Sequence, residues 1–256
     1  MGAGHAHALY VHGHSPVHAM APEAKVAAAL AFVACVALTP ASVPWAFAGH
    51  AVVLAVVIRV ARLKPGFVLA RATVVLPFIL FVFLLPFVAS GERTQVLGMS
   101  VSAAGLIAAR TILCKALIGV TLSVVLAATT ETTAIMRGLN RLRVPAVFTT
   151  IATFMLRYLE TLTGELGRMR IAMTSRGYDP RWLWQAKPIA SSAGALFIRS
   201  YERGERVHAA MLARGFDGTM PSMDDRRASR REWALAALPA LAAAVSILVA
   251  SILAGL

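Results

Sequence analysis

The 256-residue chain is 58% hydrophobic and only 14% charged, with a mean hydropathy of +0.71 and a formal net charge of +13. Soluble domains carry about 25% charged residues, so this composition excludes an ordinary soluble protein and indicates that lipid is the main solvent. Cys35 and Cys114 lie in apolar runs without the spacing of a redox or metal motif. We expect both to be small core residues.

The chain begins with a histidine-rich, polar segment, residues 1–22. It contains five histidines within 14 residues: His5, His7, His12, His14 and His18. His-x-His spacing can chelate a divalent cation, but no carboxylate or cysteine lies among these imidazoles. Two interpretations stay open, a solvated or accessory tail and the metal-binding segment of a carrier that acts alone.

Five apolar stretches are candidates for membrane-spanning helices, which need about 20 apolar residues. They are roughly Val26–Leu38, Trp45–Ile58, Ala72–Val88, Val101–Ala128 and Ala234–Leu253. The uncharged run between Lys25 and Arg59 is too long for one crossing, and its two central prolines favour a turn, so the first two spans are short. The predicted fold class is all-α, a polytopic membrane protein with about five transmembrane helices plus long cytoplasmic helices.

The charges of the short connections predict the orientation of the spans. The connection between spans two and three is flanked by Arg59, Arg62, Lys64 and Arg71. The connection between spans three and four contains only Glu92 and Arg93. Because cations concentrate on the cytoplasmic side, we expect the first connection and the amino terminus inside, and the carboxyl terminus outside.

Two cations, Arg110 and Lys115, interrupt the fourth span. A cation at mid-bilayer costs about 2.5–3.5 kcal/mol on insertion scales. Either these side chains extend to the membrane interface, or they make polar contact with a partner or a substrate path.

Residues 129–231 form a basic segment between span four and the last span, and we predict that it is cytoplasmic. The first four spans are then predicted within residues 23–128, and the last span within residues 232–256. Between Arg137 and Arg231 lie 17 of the 25 Lys and Arg residues together with 8 of the 12 acidic residues. The interspersed acids argue against nucleic acid as a partner, whereas a basic block beside apolar spans fits the positive-inside rule.

A long helix is predicted from Ala146 to about Arg176. Its apolar residues recur at intervals of three and four and define one face: Phe148, Ile151, Met155, Leu159, Leu162, Leu166, Met169 and Met173. We expect this stripe to serve intramolecular packing. A second helix is predicted from about Ser191 to Arg214.

The two long helices end alike. The first ends in Ser175, Arg176, Gly177 and the second in Ala213, Arg214, Gly215. Asp179 and Asp217 are separated by the same number of residues as Arg176 and Arg214. We call this separation the repeat offset. A glycine at such an end allows a positive φ, and the arginine presents a guanidinium fork suited to a carboxylate. One such end is explained by capping alone, whereas two matched ends favour a partner with two similar docking sites.

These residues resemble a known family. Ser175–Gly177 and Ala213–Gly215 are similar to the two Ala-Arg-Gly-type signatures of the transmembrane T component of energy-coupling factor (ECF) transporters, particularly the cobalt-type CbiQ group. Leu142–Pro145 and Arg157–Leu159 also look like that group, and the resemblance extends from about Pro16 to Leu256.

The resemblance implies a mechanism. In that family the two coupling helices dock through the signature arginines onto two ABC-type ATPase subunits, and a separate membrane subunit binds the substrate, cobalt or nickel. The implied location is the cell inner membrane, with lipid as a further partner and no cofactor. The chain lacks a phosphate-binding Gly-x-x-x-x-Gly-Lys loop and enzyme motifs, so we do not expect an enzyme. A stand-alone metal carrier is the alternative, although its spans lack acidic residues.

Overall fold

The computed structural model describes residues 10–89, 93–96, 99–179, 182–218 and 226–255. His5, His7 and Glu92 therefore lie outside the described residues. The elements are α1 Pro16–Ala19, α2 Pro22–Leu38, α3 Pro44–Val60, α4 Pro65–Ala72, α5 Leu76–Val88, β1 Arg93–Val96, β2 Met99–Ser102, α6 Ala103–Thr129, α7 Thr132–Arg141, α8 Ala146–Ser175, α9 Lys187–Leu212 and α10 Arg230–Gly255. The predicted all-α class is confirmed.

The chain divides into two compact units. The bundle unit contains Leu9–Gly138 and Arg226–Leu256, and the crossing-helix unit contains chiefly Leu139–Asp225. The first boundary was expected after residue 128, ten residues before the division in the structure. The second was expected after residue 231, six residues after the division. The short helix α7 accounts for the first difference, because most of it belongs to the bundle unit.

Three helical runs in the described ranges are long and apolar enough to cross a membrane: Pro65–Val88, Ala103–Thr129 and Arg230–Ile252. The third span was expected to start at Ala72, but the helix starts at Pro65. A 3-10 turn, Thr73–Val75, joins α4 to α5 without a break. Pro77 lies in the first turn of α5, where the amide hydrogen that proline lacks is not needed.

The two short helices at the predicted first and second spans differ in composition. Among the described residues, only α3 counts as a shorter apolar helix beside the three long ones, so three to four helices suit a membrane rather than the predicted five. Helices α2 and α3 have 17 residues each, or roughly 26 Å at about 1.5 Å per residue. Both begin with a proline, which suits the first helical position. α3 is apolar throughout most of its length, whereas the first turn of α2 contains Glu23 and Lys25.

Three helices of the bundle unit have one terminus each at the same end of the bundle. The Lys25 ammonium near the start of α2 donates to the carbonyl of Thr129 at the end of α6, at 3.0 Å. The Glu23 carboxylate accepts a hydrogen bond from the amide of Ala228, just before α10, at 2.7 Å. The start of α2, the end of α6 and the start of α10 therefore lie at one end of the bundle.

Both cations inside the fourth span have partners within the bundle. Arg110 donates to the carbonyl of Ala41 at 3.0 Å, and Lys115 donates to the carbonyl of Ala37 at 2.7 Å. These carbonyls belong to the end of α2 and the turn after it, where a helix leaves its last acceptors unpaired. The polar partners of both side chains thus lie within the chain.

The amino-terminal segment packs on the bundle from Val11 onward, so this part of it is not the solvated tail that was one of the open interpretations. The amide of Val11 donates to the carbonyl of Ala128 at 3.0 Å, and Ser15 is only 2% exposed. The imidazole nitrogens of His18 lie 2.6 Å from the Ser15 hydroxyl and 3.0 Å from the Val11 carbonyl oxygen. His18 is therefore a structural residue of this segment.

A small hairpin, which the sequence analysis did not predict, precedes α6. Strands β1 and β2 are antiparallel, with Arg93 opposite Ser102 and Val96 opposite Met99. The Ser102 hydroxyl then accepts a hydrogen bond from the Gly105 amide and caps α6.

The bundle core is formed by apolar residues of α2, α3, α6 and α10 together with the connection between α3 and α4. Buried members include Phe32, Val36, Phe47, Leu54, Leu63, Ile118, Val125 and Ala243. The two free cysteines are half-buried and pack against this cluster, as expected for small core residues. Most other apolar side chains of these helices face outward, where lipid would cover them.

Gly105 is a point of close approach between α5 and α6. A Cβ at this position would lie 2.8 Å from the Cα of Pro86 and 2.9 Å from the Leu85 carbonyl oxygen. We expect Gly105→Ala to lower the free energy of unfolding by about 1–3 kcal/mol, because backbone atoms must move apart. The measurement is thermal unfolding in detergent followed by circular dichroism.

Gly119→Ala on the same helix is the matched control. No atom lies within 4 Å of a Cβ at that position, so this change should be neutral or stabilise by up to about 1 kcal/mol through helix propensity. Equal effects of the two substitutions would contradict the close packing of α5 on α6.

Candidate coupling site

The α8 end, Ser175–Gly177, closes as the sequence predicts. Gly177 has a φ of +78°, which L side chains rarely adopt. The amide of Gly177 donates to the Thr174 carbonyl at 3.0 Å, and the amide of Tyr178 donates to the Met173 carbonyl at 3.1 Å. This pair of bonds is the Schellman motif.

The α9 end, Ala213–Gly215, repeats the same backbone geometry one repeat offset later. Gly215 has a φ of +80°. The amide of Gly215 donates to the Leu212 carbonyl, and the amide of Phe216 donates to the Met211 carbonyl, both at 3.0 Å. The internal repeat of the sequence is therefore a repeated Schellman motif with a methionine before it and an aromatic residue after it.

The arginines of the two ends are free for other contacts. Because backbone amides already occupy the last carbonyls of each helix, no side chain is needed to cap them. Arg176 and Arg214 are exposed. Within the described ranges, neither guanidinium group has a hydrogen bond or an ion pair. This arrangement argues against capping as the only role of the arginines.

Helices α8 and α9 cross in antiparallel orientation. Near the end of α8, the Met173 sulfur lies 3.5 Å from the Ser192 hydroxyl near the start of α9. Toward the other side of the crossing, Phe154 of α8 and Met211 of α9 line the same groove. The end of each helix therefore lies beside the first half of the other.

Glu165 joins the two helices at the crossing. Its carboxylate lies 3.2 Å from the Arg199 guanidinium and 3.4 Å from the Arg203 guanidinium, and its side chain is only 12% exposed. The hydrogen bond from Arg199, with a smaller contribution from Arg203, lowers the pKa of Glu165 below its usual range. The carboxylate is thus ionised at neutral pH, and its stabilising effect is lost only as the pH falls through that lowered pKa.

Residues that meet at the crossing of α8 and α9 are related by the repeat offset. Arg203 is the repeat equivalent of Glu165, since the repeat offset also separates these two positions. The pair Met173 and Ser192 likewise corresponds to the pair Met211 and Phe154. Contacts between equivalent positions indicate an approximate two-fold axis through the ion pair, which relates one helix end to the other.

The two helix ends therefore project in opposite directions. Ser192 lies beside the end of α8, and nearly all of α9 extends between Ser192 and Arg214. At about 1.5 Å per residue, this length of helix places the two signature arginines roughly 33 Å apart. A single small binding site cannot contact both guanidinium groups at that separation.

The surroundings of the two ends differ, although their backbones match. Beside the α9 end lies an open apolar groove of about 460 Å³, whose lining includes Ile151, Phe154, Met155, Val207, Met211 and Phe216. Beside the α8 end, the Tyr178 hydroxyl donates to the carbonyl of Gln185, and the 3-10 turn Leu183–Ala186 leads directly into α9. The approximate symmetry is therefore limited to the helices and their ends.

The apolar stripe of α8 was expected to pack within the chain, and this expectation is wrong for most of it. Five of its eight members are at least 44% exposed: Phe148, Ile151, Met155, Leu159 and Leu166. On α9, Phe197 and Ile198 are also exposed. Large exposed apolar faces of this kind mark interaction surfaces. The second helix also starts at Lys187, four residues before the predicted Ser191.

The described residues contain no group of three histidine, cysteine or acidic side chains that could hold a metal ion. The sequence analysis located both helix ends but missed the crossing and the groove. The repeat offset carried a signal for the crossing, because it also relates Glu165 to Arg203, far from the ends.

Substituting Gly177 or Gly215 by alanine should open the corresponding helix end. A residue with a Cβ loses roughly 1–2 kcal/mol in the left-handed region, so the amides that close each Schellman motif should exchange about 5- to 30-fold faster. The measurement is hydrogen exchange by mass spectrometry on peptides that contain Tyr178 or Phe216. The control is Gly194→Ala within α9, where no atom lies within 4 Å of a Cβ and exchange should not accelerate.

Comparison with known proteins places the chain in a family. The model of the family CbiQ, cobalt transport protein, matches residues 13–224. The EcfT transmembrane protein of an energy-coupling factor transporter from Listeria innocua is 27% identical over 229 residues, which cover 82% of this chain and 83% of that protein.

Two further relatives match over shorter regions. The cobalt transport protein CbiQ of Rhodobacter capsulatus is 32% identical over 105 residues, covering 41% of this chain and 43% of the relative. An uncharacterized protein of Methanocaldococcus jannaschii is 31% identical over 121 residues, covering 47% and 41%. The chain thus spans less than half the length of these two relatives. Since the family model covers far more than half of the chain, the protein belongs to the CbiQ family of cobalt transport proteins.

Proposed function

We propose that the chain is the transmembrane T subunit of an ATP-driven ECF-type importer, which couples two ABC-type ATPase subunits to a substrate-binding membrane subunit. The observation that carries this proposal is the pair of matched helix ends, each with an exposed guanidinium and no internal partner among the described residues. Their separation of roughly 33 Å, estimated from the helix rise, suits two separate subunits.

Arginine suits this docking role because of its geometry. Its planar guanidinium donates two parallel hydrogen bonds to one carboxylate, and its charge persists at any physiological pH. Each Schellman motif fixes the backbone from which the arginine projects. A carboxylate of an ATPase subunit would pair with Arg176, and its counterpart on the second subunit would pair with Arg214.

The crossing of α8 and α9 would transmit the movement of the ATPase subunits. When the ATPase subunits close on ATP, the two helix ends move, and the Glu165 ion pairs keep α8 and α9 joined while they do so. The exposed stripe of α8 would then contact the partner subunits. ATP hydrolysis occurs in the partners, since this sequence contains no phosphate-binding loop. The names of the relatives support cobalt as the substrate, and nickel is the second candidate.

The proposed location is the inner membrane, with the crossing-helix unit in the cytoplasm. The connection between α3 and α4 contains Arg62 and Lys64, so the positive-inside rule assigns that end of α3 to the cytoplasm. Arg71, expected in the same connection, lies within α4 with its guanidinium 4.2 Å from the Phe67 ring centre. A stand-alone carrier finds less support, because both ring nitrogens of His18 have neighbours at hydrogen-bond distance.

Arg176→Ala and Arg214→Ala should each weaken association with the ATPase subunits. Removing one member of a buried interfacial charge pair costs roughly 2–5 kcal/mol, and the double variant should lose more than either single variant. Lysine at either position should restore binding only in part, because an ammonium cannot form the planar fork. The measurement is co-purification of the ATPase subunits from detergent-solubilised membranes, together with ATP-dependent cobalt uptake.

Arg168→Ala and Arg206→Ala are the matched controls. These arginines are also related by the repeat offset, but they lie two helical turns before each end. Arg206 makes only an exposed ion pair with Glu202, at 3.9 Å, of a kind worth about 0.3–0.5 kcal/mol. Full retention of both ATPase subunits and of uptake by the double variant at positions 176 and 214 would refute the docking role.

The proposed orientation predicts labelling from opposite sides of the membrane. After both native cysteines are replaced, a cysteine at Met99 should react with a membrane-impermeant maleimide in intact spheroplasts. A cysteine at Tyr178 should react only after permeabilisation. Labelling of both positions from the same side would contradict the topology.

A further inference from the structure

A second cavity lies in the bundle unit, far along the chain from the coupling helix ends. It has a volume of about 370 Å³, within the range of about 300–1,000 Å³ that is common for ligand sites. Helices α1, α2, α3, α6 and α10 all contribute to its lining, which is apolar except for Lys25 and Thr129.

Lys25 is a buried cation without a counter-anion. It is 8% exposed, and its ammonium donates to the carbonyl oxygens of Thr129 at 3.0 Å and His18 at 3.5 Å. Within the described residues it forms no ion pair with a carboxylate. The end of α6 supplies a partial negative charge of only about −0.5. An ammonium has three donors, so one donor and part of the charge remain for a ligand.

The cavity opens on the outer face of the helices. Four of its lining residues are also 45–58% exposed: Val56, Val60, Leu235 and Leu238. These residues belong to helices that span or nearly span the membrane, so this face contacts acyl chains. The adjoining helix end also carries Arg59 and Arg62, which increase the positive charge there.

We propose that this cavity binds an anionic phospholipid from the leaflet at the start of α2. One acyl chain occupies the apolar cavity, and the phosphate lies next to the Lys25 ammonium. The lysine lies beside the last carbonyls of α6, and helix ends are level with the lipid headgroups. A transmembrane helix from another subunit is a less suitable occupant, because it would have to bring a carboxylate to the cavity to match the lysine.

Native mass spectrometry of the full chain in detergent tests this site. The probes are phosphatidylglycerol and phosphatidylcholine with identical acyl chains. The parent should retain phosphatidylglycerol at least about fivefold better than phosphatidylcholine at equal concentration. Lys25→Met should reduce that preference to near unity, since the cation that selects the anionic headgroup is gone.

Lys115→Met is the matched control. Its ammonium also donates to a helix carbonyl, that of Ala37 at 2.7 Å, but it does not line the cavity. It should therefore keep the preference of the parent. Leu238→Trp, on the exposed rim, should reduce retention of both lipids while Lys25 remains, which gives a readout if Lys25→Met does not fold.

Three results with the chain alone would overturn the proposal. They are equal retention of the two lipids by the parent, an unchanged preference in Lys25→Met, and unchanged retention in Leu238→Trp. Loss of the bound lipid on assembly with the partner subunits would instead assign the cavity to a helix of another subunit, and would also overturn it. Arg176 and Arg214 lie in the other unit, so failure here leaves the coupling proposal intact.

Discussion

The carbonyl groups at the ends of helices are the constraint on which much of this structure depends. Each α-helix leaves four acceptors without internal partners, and a buried carbonyl without a donor costs free energy. In the bundle unit, lysine and arginine supply them: Lys25 serves α6, and Lys115 and Arg110 serve α2 and its following turn. In the crossing-helix unit, backbone amides supply them through a glycine at positive φ. The bundle thus uses three of its cations at helix ends, whereas Arg176 and Arg214 at the ends of α8 and α9 stay exposed.

The exposed apolar residues of the two units suit two different surroundings. Outward-facing valine, leucine and phenylalanine side chains of α3, α5 and α10 fit a surrounding of acyl chains. Phe148 and Met155 are exposed residues of α8. This helix is not among the candidate membrane spans of the described residues, and it carries five charged residues from Ala146 to Arg170. The charged residues beside the apolar stripe favour a protein neighbour over lipid. The exposed surface of the chain is therefore divided between two types of contact, and membership of the CbiQ family agrees with both.

The sequence predicted the elements that depend on local signals. Uninterrupted apolar runs located the spans, and the pattern Arg-Gly located both helix ends together with their positive φ. The start of the third span was missed by seven residues, because a 3-10 turn carries the helix through Thr73 without a strong local signal. The burial of Ser15 and the partners of Lys115 could not be predicted, since both depend on residues that are distant in sequence. For the crossing at Glu165 the repeat offset did carry a signal. The expected packing of the α8 stripe failed for a related reason: periodicity identifies an apolar face but not the molecule that covers it.

The ion pair at the crossing limits how far α8 and α9 can resemble each other. If a single helix had been duplicated unchanged, positions 165 and 203 would carry the same residue, and the approximate axis would place two like charges in contact. An acid at one position and a base at the other remove that repulsion. A charge at one of these positions therefore calls for the opposite charge at the other, whereas Arg176 and Arg214 lie far from the axis and can be identical. As a result α8 and α9 are not interchangeable. In a chimaera with two copies of α8, two glutamates would repel each other at the crossing.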